Sequence, residues 1–129
     1  YRLIFSRISC LMRKILFFSM SVKRGEILSV NFELPQGAKE HPVLVISNDT
    51  ANKREKAFLG VMLSGTQAID EFSFELDNSM VTNTPKKKTQ VRCHLITLIP
   101  EAHIKSRHGN MHEIYVDKVV SKIVKDVLN

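Results

Sequence analysis

Glu26-Ile27-Leu28-Ser29-Val30-Asn31-Phe32-Glu33, entered from Gly25, alternates polar with apolar residues. A strand through this stretch puts Leu28, Val30 and Phe32 on one face and is half-buried. A second stretch, Pro42-Val43-Leu44-Val45-Ile46-Ser47, is continuously apolar and rich in β-branched residues. That is the pattern of a central strand covered on both sides. Between the two, residues 34–40 are polar and turn-rich, which predicts a loop. The period of two in the first stretch and the short apolar run of the second make the fold mainly β.

Outward from this pair, Asn48-Asp49-Thr50 supplies capping side chains for a short helical turn reaching about Arg54. Residues 57–63 read as a third strand and residues 71–76 alternate cleanly as a fourth. Residues 81–88 form a polar loop or distorted strand carrying three consecutive lysines. Residues 90–99 are one long strand or two joined by a kink, stopped by Pro100. From Glu113 the period changes: Val116, Val119, Val120, Ile123 and Val127 share a helical face, with Lys118, Lys122 and Lys125 turned away. Its valines lower helix propensity, so packing on the sheet must hold this terminal helix. Closely spaced short strands closed by one helix predict a small α+β barrel rather than βαβ units.

The chain has 129 residues, 43% hydrophobic and 25% charged, enough for one domain with its own core. Two cysteines, Cys10 and Cys93, are too few for a disulfide framework and point to a reducing, cytoplasmic compartment. The net charge of +6 suggests an anionic partner until its location is examined. Arg2, Arg7, Arg13, Lys14, Lys23 and Arg24 carry all of it, and residues 25–129 hold 13 basic and 13 acidic side chains. Two segments are therefore expected: a basic, apolar N-terminal extension over residues 1–20 and a charge-balanced barrel domain over residues 21–129. No apolar run in the extension approaches the ~18–20 residues of a membrane span. It also lacks a small-x-small cleavage site, so no stable membrane insertion is expected. Its apolar residues recur near helical spacing, which fits a basic amphipathic helix on a surface or partner. The favoured reading is an extension upstream of the natural start, with Met20 or Met12 the initiator, because strand patterning begins just after Met20.

Four segments in order resemble the PemK/MazF toxins. Lys23-Arg24-Gly25-Glu26-Ile27-Leu28-Ser29-Val30-Asn31-Phe32 is similar to their GDI-x-V-x-F opening strand. His41-Pro42-Val43-Leu44-Val45-Ile46-Ser47-Asn48-Asp49 resembles their RPVLVIS strand. Val61-Met62-Leu63-Ser64-Gly65-Thr66 resembles a VPxT(S/T) strand end, and Thr89-Gln90-Val91-Arg92 a DQ(I/V)R segment. The resemblance implies an SH3-like β-barrel of the CcdB/PemK type with a C-terminal amphipathic helix, usually a homodimer. It also implies cofactor-free and metal-independent cleavage of single-stranded RNA, and restraint by a cognate antitoxin.

Position by position, the resemblance places the family's catalytic arginine at His41 and its catalytic threonine or serine at Ser64. The basic and acidic positions before the glutamine fall on Lys87 and Thr89, while Gln90 and Arg92 are retained. Imidazole titrates near neutrality whereas guanidinium stays charged and forks onto phosphate, so the two are not equivalent. The expected catalytic set is His41 as acid or base, Ser64 orienting the phosphate and Lys87 supplying charge. Gln36 and Gly37 of the first loop, with Thr66, Lys86, Lys88, Thr89, Gln90 and Arg92, are the expected substrate contacts. Each has a plainer reading: His41 as a solvated strand residue, Ser64 with Gly65 as a turn, and the lysines as a solvated loop. Arg92, inside an apolar strand, must meet solvent, a cleft or an acid, and the cleft is the expectation.

His103, His108 and His112 match no helical zinc spacing and have no suitably spaced carboxylate or cysteine ligand. Cys93 and His94, adjacent on a strand, face opposite ways and cannot form a dyad. No phosphate-binding glycine loop or nucleophile elbow is present. Without Trp and with two Tyr, a base-stacking platform is thin, and Phe72 and Phe74 read as core. The expected function is that of a type II toxin cleaving RNA. The alternative is a catalytically inactive barrel binding nucleic acid or protein. A gyrase-directed toxin of the CcdB branch is a third reading, weakened by the absence of Trp near the C-terminus.

Overall fold

The computed structural model describes residues 21–129; residues 1–20, where the extension is expected, lie outside it. Six antiparallel strands form one sheet in the order β4-β5-β3-β2-β1-β6. They are β1 (Glu26–Leu34), β2 (Gly37–Val45), β3 (Ala57–Ser64), β4 (Ser73–Glu75), β5 (Gln90–Pro100) and β6 (Ile104–Asn110). Helix α1 (Asp49–Glu55) links β2 to β3, and α2 (Glu113–Ile123) closes the chain with a wider π-helical turn over Val124–Leu128. The sheet is not closed by continuous pairing, but it curls until a single bridge joins Val81 to Met111. Beside that bridge Thr82 N–H donates to the Asn110 carbonyl at 2.9 Å.

The alternation of β1 fixes both sides of the sheet. Ile27 points to one side, where it joins Leu44, Val61, Leu63, Val91 and Cys93 under Val116, Val119 and Ile123 of α2. Leu28 and Val30 point to the other, with Val22, Val43, Val45, Phe58 and Ile99. Leu28, Val30 and Phe32 do share a face, but β1 is covered on both because α2 fills the curl behind Ile27. The central strand behaves as its composition requires: Val43, Leu44 and Val45 are all fully buried. Asn48 caps α1 by accepting from the Ala51 amide at 2.9 Å. The helix stops where Lys56 turns left-handed. Val116, Val119 and Ile123 are the buried positions of α2, matching the predicted helical face.

One expectation is corrected and one strand is added. Residues 34–40 are not an open loop: Pro35 and Gln36 make a tight turn, and β2 pairs with β1 from Gly37 onward. Gly37 has φ of +120°, a conformation costly for any residue with a Cβ, so the turn needs this glycine. Ala38, Lys39 and Glu40 are exposed, so the segment reads as polar although it is strand. β6 was not foreseen, because Ile-Lys-Ser-Arg-His-Gly-Asn lacks apolar alternation. It is an edge strand paired only with β1, through two register shifts.

Candidate active-site cleft

β2 and β3 pair only from Val45↔Gly60 to Val43↔Met62. Beyond that point the sheet divides into two arms: the β1–β2 hairpin on one side, β3 with β5 and β4 on the other. Continuing the register by two residues sets His41 level with Ser64 and on the same face, because antiparallel partners share a face. Ser64 is in turn paired with Gln90, and Gln90 with Glu75. One row across the sheet thus holds His41, Ser64 and Gln90, and the gap between the arms separates His41 from Ser64.

His41 is half-buried opposite Val30, its ring set edge-on to Phe32 at 6.2 Å. Its Nδ1 is shielded from solvent and has no hydrogen-bond partner among the described residues. Burial, followed by the charge of Lys39, pushes its pKa below the ordinary 6.5. The imidazole is therefore mainly neutral at pH 7 and suited to accept a proton rather than to hold a phosphate as a cation. Ser64 Oγ accepts from the Thr66 amide at 3.2 Å, which leaves the hydroxyl proton free to be donated into the cleft.

Gln90 and Arg92 are retained from the family pattern, but their donors are already engaged. Gln90, 2% exposed, donates through Nε2 to the carbonyls of Thr66 at 2.9 Å and Ala68 at 2.8 Å. Arg92 grips Asp70 with two parallel bonds of 3.0 and 2.8 Å, and also donates to Ser73 Oγ and Gln90 Oε1. Hydrogen bonds from Arg92 and then from the Phe72 amide hold the Asp70 carboxyl down to about 2. The expectation of Arg92 facing an open cleft is thus corrected: it meets an acid. Together these two side chains suspend the segment from Thr66 to Asp70 beside Ser64. Asp70 was missed in the sequence because nothing in a polar loop marks which acid pairs with an arginine 22 residues away.

The remaining candidates are scattered around the row. Gln36 and Gly37 sit at the exposed tip of the β1–β2 arm. The lysine triplet splits: Lys86 faces a cavity behind the sheet, and Lys88 lies 3.5 Å from Glu75 in an exposed pair that contributes little. Lys87 is exposed, its carbonyl accepting from Thr89 Oγ1 at 2.9 Å. Thr89 lines the same rear cavity as Lys86, so both lie on the opposite face from His41. Cys93 is buried in the core while His94 stacks on Phe72 at 4.4 Å on the other face. Among the described residues no three His, Cys, Asp or Glu side chains converge as a metal ion would need. Nor is any helix among them long and apolar enough to cross a membrane.

A curled antiparallel sheet, split into two arms by a cleft and backed by one C-terminal helix, defines a small toxin-like barrel. The family model of PemK-like, MazF-like toxins of type II toxin–antitoxin systems matches residues 23–126. The chain belongs to that family. Solved structures of the same fold include an endoribonuclease from a mycobacterial species, with a TM-score of 0.66 and 14% identity, covering 83% of this chain and 91% of that one. A mycobacterial endoribonuclease in complex with its cognate antitoxin gives 0.65 and 17%, covering 82% and 94%. The MazE–MazF complex from Deinococcus radiodurans gives 0.68 and 13%, covering 81% and 94%. No curated protein matches the sequence.

Proposed function

We infer that this toxin cuts single-stranded RNA in the cleft between the two arms, without a metal or other cofactor. The observation that supports this reading is His41, neutral and with an unpartnered ring nitrogen, set level with Ser64 across the cleft. His41 takes the proton of the RNA 2′-hydroxyl as that oxygen attacks the adjacent phosphorus. The bond to the 5′-oxygen breaks, and that oxygen takes a proton from solvent, leaving a 2′,3′-cyclic phosphate and a 5′-hydroxyl. The Ser64 hydroxyl donates to a phosphoryl oxygen, and Lys87 supplies positive charge as negative charge gathers there. Gln90 and Arg92 act by holding the segment that carries Thr66, rather than by touching RNA.

The chain acts in the cytoplasm as a homodimer whose cleft is closed by a cognate antitoxin. Two solved structures of like fold hold an antitoxin bound to the toxin, which supports a cognate antitoxin as the partner. Paired Leu59 and Leu98, exposed on the sheet, offer apolar surface to a second copy. The other reading, a barrel that binds without cutting, is favoured by the histidine at the family's arginine position and by the neutralised Arg92.

The test incubates the purified full chain with mixed-sequence RNA in EDTA, beside His41→Ala. Cyclic-phosphate ends made by the wild type and lost in the variant support cleavage. Intact RNA at high protein concentration rejects it and leaves the binding reading.

A further inference from the structure

Residues 37–40 belong to β2 rather than to a loop, and this decides where Lys39 stands. In the β1–β2 register Lys39 pairs with Phe32, and His41 with Val30. Side chains two residues apart on a strand share a face, so Lys39 stands beside His41, their Cα atoms roughly 7 Å apart. Glu40, between them, takes the other face with its partner Asn31. Phe32, the partner of Lys39, is the ring that meets His41 edge-on. The charge of Lys39 reaches the imidazole, since after burial it is what lowers the pKa of His41. Lys39 is exposed, and its ammonium has no hydrogen bond or ion pair among the described residues.

The cleft has work for such a group. As the 2′-oxygen attacks, negative charge gathers on the phosphoryl oxygens, and a neutral imidazole does not offset it. Neighbouring cations are committed elsewhere: Arg92 is held by Asp70, Lys88 lies by Glu75, and Lys86 faces the cavity behind the sheet. Lys87, which the cleavage reading uses, belongs to the loop that enters β5 on the other arm. A phosphate within reach of the His41 ring is also within reach of a four-carbon stem rooted two residues along the same strand face. We propose that Lys39 is a further catalytic residue of this cleft, its ammonium donating to a phosphoryl oxygen of the phosphate at which His41 acts. The proposal rests on RNA cleavage in the cleft. Lys39 transfers no proton. In the free protein it disfavours the imidazolium and so keeps the base ready. With the phosphate between them, Lys39 and the imidazolium formed during attack face the same anion.

Rate and binding are read separately on the full chain, with a fluorogenic RNA for cleavage and a 2′-O-methyl RNA, which cannot be cut, for affinity. Lys39→Ala should lower kcat/KM roughly tenfold to a hundredfold, the worth of one charge-assisted hydrogen bond. Lys39→Arg should restore most of that loss. The acid limb of kcat/KM should move to higher pH in Lys39→Ala, because the cation that disfavours the imidazolium is gone. The slope of log affinity against log salt should shrink by about 0.7, the share of one phosphate contact on a single strand. Lys118→Ala removes the same charge from the exposed side of α2, behind the sheet, and should change none of these. Lys39→Ala that matches Lys118→Ala in rate and salt slope overturns the proposal, as does a loss that Lys39→Arg leaves unrestored. Wild-type protein that leaves RNA intact removes the cleavage reading, while the salt slope still decides whether Lys39 holds a phosphate. Wild-type cleavage untouched by Lys39→Ala removes this inference alone.

Discussion

Cleavage by this toxin should lose rate as pH falls through the titration of His41, which an arginine at that position would prevent. Burial of the imidazole, then Lys39, lowers its pKa from the ordinary 6.5. With 6.5 as the upper bound, at most about a quarter of the molecules carry His41 protonated at pH 7. The base form then predominates, so the rate there should lie within a small factor of its plateau. Below the midpoint, each further pH unit should cost about tenfold. His41→Ala should lose about 10²- to 10⁴-fold at pH 7, the usual worth of a general base. His41→Arg should remove the acid limb whatever its absolute rate, since guanidinium does not titrate in this range. The assay is the initial rate on a short fluorogenic RNA from about pH 4.5 to 8 at constant ionic strength, with circular dichroism confirming that each variant is folded. A wild-type rate that is flat or rising toward acid refutes the assignment. So does His41→Ala retaining wild-type activity.

Three further outcomes follow from the same geometry. Ser64→Ala should lower kcat about 10²-fold with little change in KM, because its hydroxyl acts on charge that develops during reaction; single-turnover kinetics separate the two. Asp70, whose pKa is held near 2, contributes stability that is fully present above its ordinary 3.8 and lost as pH falls through 2. Urea midpoints measured down that range should therefore decline, and Asp70→Asn should flatten the decline. Gly60→Ala should cost about 1–3 kcal/mol by overpacking. Its new Cβ would stand 2.7 Å from Ile99 Cδ1 and 3.3 Å from Val43 Cβ, so an unchanged denaturation midpoint would contradict the packing described.

The parts of this fold that could be read in advance are those where burial writes a period into the sequence. β2 announced itself through Val43, Leu44 and Val45, each covered on both sides. Helix α2 did so through Val116, Val119 and Ile123. β6 and the outer half of β2 were invisible for the complementary reason: backbone pairing holds them, and their side chains face water. The cleft was half legible. The motif order brought His41, Ser64 and Gln90 forward; Ser64 and Gln90 are paired, and continuing the β2–β3 register sets His41 level with them. What motif order could not carry was the use of each polar group. Gln90 and Arg92 keep their identities but spend their donors within the chain, on Thr66, Ala68 and Asp70. Hydrogen-bond partners depend on loop closure across some twenty residues, which no local pattern encodes.

The division of the sheet also decides how another polypeptide can attach. The two outer strands are poor templates for strand addition: β4 has three residues, and β6 is interrupted twice and carries lysine, arginine and histidine. The backbone edge left open by the parting of the arms lies on β2 between Gly37 and Pro42, within reach of the cleft. Pro42 removes one amide donor from that edge. A chain that zips onto it therefore gains an incomplete ladder and must draw its affinity from side chains. If the cleft holds RNA as proposed, such a chain would occupy the substrate's place, and inhibition and substrate exclusion would be a single event.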